Sequence, residues 1–268
     1  MLTPGQVQQF QHDGYLKGPQ ILSDAQVDVL CNEMERVLGR FKDNFDSAPP
    51  PKPVLCRNIS KDPANPVWQI VNIYQASEPF RRLVFNPTIT EEIAQLSDAK
   101  EIRMWHDQIQ YKPATTGGVN MWHQDAPYWP VLTPMHQVTA WLALDDVDEA
   151  NGCMSMVPGS HLWGNRIEFL QSLKAFDAMP ASFQGHAISV KTCPVKRGQV
   201  HYHHSLTWHG SAANTSTRKR RAIALHYMPA TTRYVAAGKH VMQSLISVKD
   251  GEPIRGEAFP QVWPQRST

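Results

Sequence analysis

The stretch from about Glu101 to Met228 constrains the fold most: it is cut into short apolar or alternating runs, each closed by Gly, Pro or Asn. Candidate strands are Ile102–Tyr111, Val138–Leu144, Cys153–Val157, Ile188–Pro194, Val200–His203 and Arg221–Met228. Turn signals at this spacing predict an all-β sandwich or barrel. The run Glu168–Phe183 reads as an inserted helix or lid.

Ahead of that region the texture is helical. Residues 3–12 and Leu22–Leu38 carry apolar positions at helical spacing, the second after the N-cap candidate Ser23, with the turn Asp13-Gly14 and a short strand at Tyr15-Leu16 between them. Helical patterns return at Pro79–Phe85 and Thr88–Leu96. The segment from Asn44 to Pro66 holds six prolines, which block helix and central strand alike, and is expected to be an irregular loop. At roughly 150 residues per domain, 268 residues fit one decorated domain. The expectation is a single domain over 1–268: a helical part to about 100, a β core over about 101–230, and an extension over 231–268.

Composition removes several function classes. A net charge of +2 gives no electrostatic case for nucleic acid. No apolar run approaches the ~20 residues that span a bilayer, so no membrane role is expected. The N-terminus lacks the pattern of a secretory signal, and the chain ends Gln265-Arg266-Ser267-Thr268 rather than in a peroxisomal address, so a cytoplasmic location is expected. Cys31, Cys56, Cys153 and Cys193 are far apart without metal-site spacing and are expected to be reduced and packed.

The chemistry sits in Trp122-His123-Gln124-Asp125-Ala126-Pro127. His123 and Asp125, two apart at the end of a strand, point to the same face. With one more histidine they make the two-His-one-carboxylate set that holds Fe(II) and leaves open positions. His209, at a strand end before Gly210, is the best third candidate. An H-x-D pair in a chain with 12 histidines and 24 acids is weak evidence alone. Context strengthens it: along the strand after Arg220, the positions Arg220, Ala222, Ala224 and His226 share one face. Small residues beside an inward guanidinium leave room for a carboxylate ligand, which would satisfy it with two parallel hydrogen bonds.

From Phe10-x-x-Asp13-Gly14-Tyr15-Leu16 to about Met228, the chain resembles the phytanoyl-CoA dioxygenase family of Fe(II)- and 2-oxoglutarate-dependent oxygenases. The resemblance is carried by Lys112-Pro113, Trp122–Trp129, Val138–Leu144, Asn151–His161, and Gly198 through His209-Gly210-Ser211 and Asn214 to Arg220. It implies a double-stranded β-helix, or cupin-like jelly-roll, with helices on one side. It implies iron held by His123, Asp125 and His209, and the distal carboxylate of 2-oxoglutarate held by Arg220. Trp141 and Ser211 match further co-substrate contacts of the family, and Gln108, four before Lys112, matches another. Because Asp125 is present, hydroxylation is favoured over halogenation. The implied reaction consumes O2 and 2-oxoglutarate, releases succinate and CO2, and oxidises a C–H bond of a small organic metabolite.

The cluster His201, His203 and His204 is expected to pack or hydrogen-bond rather than hold a second metal, and His161 to close a hairpin turn. Substrate selection is assigned to Tyr128, Trp129, the Pro-rich segment to Asn72, the 164–186 insertion and Arg233-Tyr234. Desaturation, cyclisation or epimerisation are alternative outcomes of the same chemistry, and a non-catalytic jelly-roll binding protein is the competing class. The sequence specifies neither substrate nor oligomeric state.

Overall fold

The computed structural model describes residues 1–59, 67–115 and 117–265. Helix α1 (Pro4–Asp13) and helix α2 (Asp24–Phe41) flank strand β1 (Tyr15–Gln20), and each helix opens on a capping box, from Thr3 and Gln6 and from Ser23 and Gln26. The Pro-rich segment contains a strand that its prolines had argued against, β2 (Leu55–Asn58); residues 60–66 of that segment lie outside the described residues. Its four residues fall between Pro53 and Pro63, so no proline interrupts the ladder to β3 (Trp68–Val71). Helices α3 (Glu78–Val84) and α4 (Pro87–Leu96) follow, then the long strand β4 (Ile102–Lys112).

The β region continues with β5 (Asn120–His123), β6 (Leu132–Thr133), β7 (Val138–Ala143) and β8 (Met154–Met156). The expected lid is a short helix, α5 (Ile167–Ser172), and a hairpin of β9 (Ser182–Phe183) and β10 (His186–Ala187). The chain closes with β11 (Lys191–Cys193), β12 (Gln199–His204), β13 (His209–Ser211), β14 (Arg220–Pro229), β15 (Arg233–Tyr234) and β16 (Gln261–Trp263). The strand expected over Ile188–Pro194 is confined to β11, where it pairs with β8.

Eight strands form one antiparallel sheet in the order β1-β12-β7-β14-β4-β3-β2, with β16 also on β4. Both ends of the chain thus enter the sheet, and the C-terminal extension is part of it. A second sheet, β11-β8-β13-β5, completes the jelly-roll. Alternation divides the large sheet cleanly. Val200 and Tyr202, Ala140 and Leu142, and Ile223, Leu225 and Tyr227 pack with α1, α2, α3 and α4 in one cluster. On the opposite face, Trp141, Ala143, Ala222 and Ala224 pack with Met154, Met156 and Cys193 of the second sheet. All four cysteines are free and buried. No helix is long and apolar enough to cross a membrane.

Candidate metal and co-substrate site

The inward face of the large sheet reads, row by row, as a set of polar side chains. Register aligns Lys112 with Arg220, Gln110 with Ala222, Gln108 with Ala224 and His106 with His226 across β4 and β14. It then aligns Ala224 with Trp141, and His226 with Thr139, on β7. Beyond β7 lie His201 opposite Trp141 and His203 opposite Thr139.

Over this face the second sheet places His123 directly opposite His209. Gly210 makes the approach possible, since a Cβ there would meet Asn120 O at 2.9 Å and Phe176 Cε2 at 3.0 Å. Asp125 lies just past the end of β5 rather than within it. His123 Nε2 is 3.7 Å and His209 Nε2 3.6 Å from Asp125 Oδ1. Ligand atoms of these three residues all lie within 4.8 Å of one another, and no other such group of His, Cys, Asp or Glu occurs among the described residues.

The tautomers suit coordination. His123 Nδ1 donates to Met121 O at 2.8 Å and His209 Nδ1 to Thr207 O at 2.9 Å, which leaves both Nε2 lone pairs bare and aimed together. Burial, together with each other's proximity for His123, holds both rings down at about 4, so they are neutral near pH 7. Burial alone would raise the Asp125 carboxyl, but His209, His203 and His226 overrule it and hold it well below its usual range.

For His203 the expectation of packing or hydrogen bonding resolves into a hydrogen bond whose partner the sequence did not name. Its Nε2 donates to Asp125 Oδ2 at 3.1 Å. Thr139 Oγ1 also donates to Oδ2, at 3.3 Å, and is itself 2.8 Å from His226 Nδ1. The alternation along Gln199–His204 already turns His201 and His203 inward, and that is the signal from which the contact could be found. His204 faces away, near His136 and His161. His161 closes no hairpin: it lies in the helical turn Ser160–Trp163 and its Nε2 is 3.2 Å from Gln11 O.

A second pole lies toward Arg220, which is 1% exposed. Its Nη2 donates to Ser211 Oγ at 3.2 Å and Gly152 O at 3.3 Å, while Nε and Nη1 have no partner. Beside it the Lys112 ammonium, 2% exposed, reaches Ser211 Oγ at 2.7 Å, Ala212 O at 2.7 Å and Ser211 O at 3.2 Å. Burial, then Arg220, push Lys112 down to about 6, and burial lowers Arg220 to about 10. No carboxylate lies within ion-pair distance of either side chain among the described residues. A buried guanidinium with unmet N–H groups, sharing one hydroxyl with a buried lysine that an anion would help to protonate, forms a site for an anionic group. Trp141 lies 5.4 Å from the Arg220 carbon, ring centroid to Cζ, with its buried Nε1 unpartnered. Gln108 and Arg220 border a common small void. Trp141 and Ser211 border another with His123, Asp125 and His209. Gln110 and Asn120 touch both and were not singled out; each sits two or three residues from a named position, on the same strand.

Outside the metal-competent group opens a cavity of ≈ 580 Å³. Tyr128, Trp129 and the insertion residues Leu170, Gln171 and Leu173 line it, as do Leu55, Arg57, Ile59, Gln69 and Val71 around the Pro-rich segment. Arg233 and Tyr234 do not; they pair with β6 instead.

A family profile described as phytanoyl-CoA dioxygenase (PhyH) matches residues 10–222. The chain belongs to that family. An ectoine dioxygenase from Bordetella parapertussis is 28% identical over 244 residues, covering 84% of this chain and 75% of that one. The peroxisomal phytanoyl-CoA dioxygenase of Bos taurus is 24% identical over 240 residues, 84% of this chain and 68% of that one. Among solved structures, the non-haem α-ketoglutarate-dependent carbocyclase SnoK from nogalamycin biosynthesis is 27% identical, with a TM-score of 0.79 over 97% of this chain and 96% of that one. The epimerase SnoN, in complex with Fe3+, α-ketoglutarate and nogalamycin RO, shares the fold at TM-score 0.73 and 21% identity, with 96% and 97% covered. The family member described here is an enzyme, a non-haem iron and 2-oxoglutarate-dependent oxygenase with a jelly-roll core.

Proposed function

We propose that His123, Asp125 and His209 hold the iron, and that Arg220, with Lys112, Ser211, Trp141 and Gln108, receives 2-oxoglutarate. The observation that carries this reading is the pairing of two poles in one barrel: three bare ligand atoms at one, and at the other a buried guanidinium beside a buried lysine with no carboxylate in ion-pair distance among the described residues. When bound, the iron and 2-oxo acid together supply an oxidant able to take hydrogen from an unactivated C–H bond. The chain supplies position. The backbone carbonyls of Met121 and Thr207 fix the ligand tautomers, His203 and Thr139 occupy the second Asp125 oxygen, and Arg220 and Lys112 orient the co-substrate through its far carboxylate. The packed interior of Trp141, Met154 and Met156 keeps bulk water away.

The substrate reading is a small organic metabolite, most simply hydroxylated, in the ≈ 580 Å³ cavity. Arg57 is the one Arg or Lys among the described residues lining it. An acyl-CoA, whose phosphates call for several Arg or Lys partners, therefore fits the described part of this wall poorly. Cyclisation or epimerisation remains a second outcome, favoured by the likeness to a carbocyclase. The product's composition separates them: an added oxygen, the loss of two hydrogens, or no change. The same reading takes 1–268 as one catalytic domain, since β1 and β16 belong to one sheet, and places it in a reducing cytoplasm, in keeping with four free buried cysteines.

The test is anaerobic titration of metal-free protein with Fe(II) and 2-oxoglutarate, watching for the visible metal-to-ligand charge-transfer band. It should form in the wild type and be lost or weakened in Arg220→Ala. Iron binding without the band would favour a non-catalytic binding protein, and no iron binding would overturn the ligand assignment.

A further inference from the structure

His106 and His226 stand side by side in the wall of the large cavity, on β4 and β14, with ring centroids 4.6 Å apart. Both are buried, at 2% and 5% exposure. Their hydrogen bonds fix their tautomers. His106 Nδ1 is 3.2 Å from Asp107 O, which only accepts, so Nδ1 carries the hydrogen and Nε2 is a bare lone pair. Nothing in the described residues donates to that Nε2. His226 Nδ1 lies 2.8 Å from Thr139 Oγ1, whose single hydrogen goes to the Asp125 carboxylate, so Nδ1 again donates and Nε2 is again bare.

His106 Nε2, a buried acceptor with no partner, requires a donor, because an unmet buried polar atom is costly, and the bare His226 Nε2 beside it offers a second acceptor to the same cavity. A metal ion is not the donor: neither ring belongs to a group of ligand atoms close enough to hold one. Nor does the wall suit an ammonium group, since Asp125 is the one carboxylate among the described residues lining it and is already met by His203 and Thr139. On the far side of His106, at 5.5 Å between ring centroids, His240 accepts from Met242 N through Nδ1, which leaves its Nε2–H as a donor beside the same cavity. Two acceptors and a donor match hydroxyl groups, which donate once and accept as well.

We infer that this corner of the cavity binds hydroxyl groups: the substrate is an uncharged hydroxylated molecule that donates to His106 Nε2 and His226 Nε2 beside Asp125. The inference rests on reading the cavity as the substrate site of the iron enzyme. The hydroxyls then orient the molecule next to the metal ligands, while the amides of Gln69 and Gln110 receive its other polar groups.

The experiment uses the anaerobic Fe(II)- and 2-oxoglutarate-loaded enzyme and two probes, cis-1,3-cyclohexanediol and its dimethyl ether, with affinities from saturation-transfer NMR. The diol should bind at least about tenfold more tightly than the ether. His106→Phe should abolish that preference, and His106→Gln, which keeps an acceptor, should restore part of it. His226→Gln serves as the second pair member, and circular dichroism confirms that each variant is folded. Equal binding of diol and ether, no binding of either, or an unchanged preference in His106→Phe overturns the inference. Formation of the charge-transfer band in the wild type reports on the iron and 2-oxoglutarate reading separately, so a probe failure with the band present counts against the hydroxyl site alone.

Discussion

His203 Nε2 stands 3.1 Å from Asp125 Oδ2, while Asp125 Oδ1 faces the bare nitrogens of His123 and His209. The carboxylate is thereby divided: one oxygen for the metal, one for the protein. A carboxylate so held favours a single metal–oxygen bond and keeps other coordination positions open for the co-substrate and O2. Replacing His203 by Leu removes the charge-assisted bond and leaves Thr139 alone on Oδ2. Affinity for Co(II), measured by calorimetry on metal-free protein, should fall about 10- to 100-fold. His203→Gln, which can still donate, should fall less.

Arg220 and Lys112 act on the same anion from adjacent strands. Arg220→Ala removes the bidentate partner and should weaken 2-oxoglutarate binding about 100-fold or more. Lys112→Met keeps the stem in place and removes the amine that the bound anion would protonate, so its effect should be smaller, about tenfold, with Ser211 released from its short bond. Co(II) affinity should stay near wild type in both, because neither side chain is among the ligand atoms. A loss of Co(II) binding equal to the loss of 2-oxoglutarate binding would argue for general collapse of the barrel instead.

Asp107 ties the substrate wall to the helical layer. Fully buried on β4, it accepts from Ile73 N at 2.8 Å and Tyr74 N at 3.1 Å, while its backbone bonds Asn72 in both directions. Burial still outweighs those bonds and raises its carboxyl to about 7. Asp107→Ala strands two buried N–H groups. At about 1–3 kcal/mol for each unsatisfied donor, urea unfolding should show a loss of about 2–6 kcal/mol. Asp107→Asn, which keeps one acceptor oxygen, should lose roughly half as much.

The sequence carried the metal-competent group and Arg220 because their signals are local or periodic: a two-residue spacing on one face, a glycine after a histidine, and alternation along Arg220–His226. The six prolines of 44–66 pointed away from strand β2, since what decides that strand is a free edge on β3, a partner that local composition does not reveal. The Asp125 brace was missed for a related reason. His203 shows in sequence only as an inward-facing position, and its role depends on the second sheet bringing Asp125 over it. Asp107 sits within a readable strand, but the backbone amides it caps lie more than thirty residues away.

Four buried imidazoles give the metal-free protein a defined acid response. His123, His209, His226 and His240 are each held down at about 4, burial being the first cause in every case. Above the ordinary histidine value near 6.5 both folded and unfolded chains leave them neutral, and their stability contribution is fully present. Between 6.5 and 4 the unfolded chain binds protons that the folded chain refuses, so acid favours unfolding. Asp107 works the other way, because its raised carboxyl lets the folded chain hold a proton that the unfolded chain releases between 3.8 and about 7. His106, His201 and His204 are lowered as well, Glu92 alone joins Asp107 on the other side, and the lowered imidazoles set the sign. The urea midpoint of metal-free protein should fall steadily from pH 6.5 to pH 4, and replacing His240, which is not a proposed ligand, by Phe should make that fall shallower. A midpoint that holds level or rises over this range would mean that the imidazoles are already charged in the folded state, and with them the case for two bare ligand nitrogens at His123 and His209 would fail.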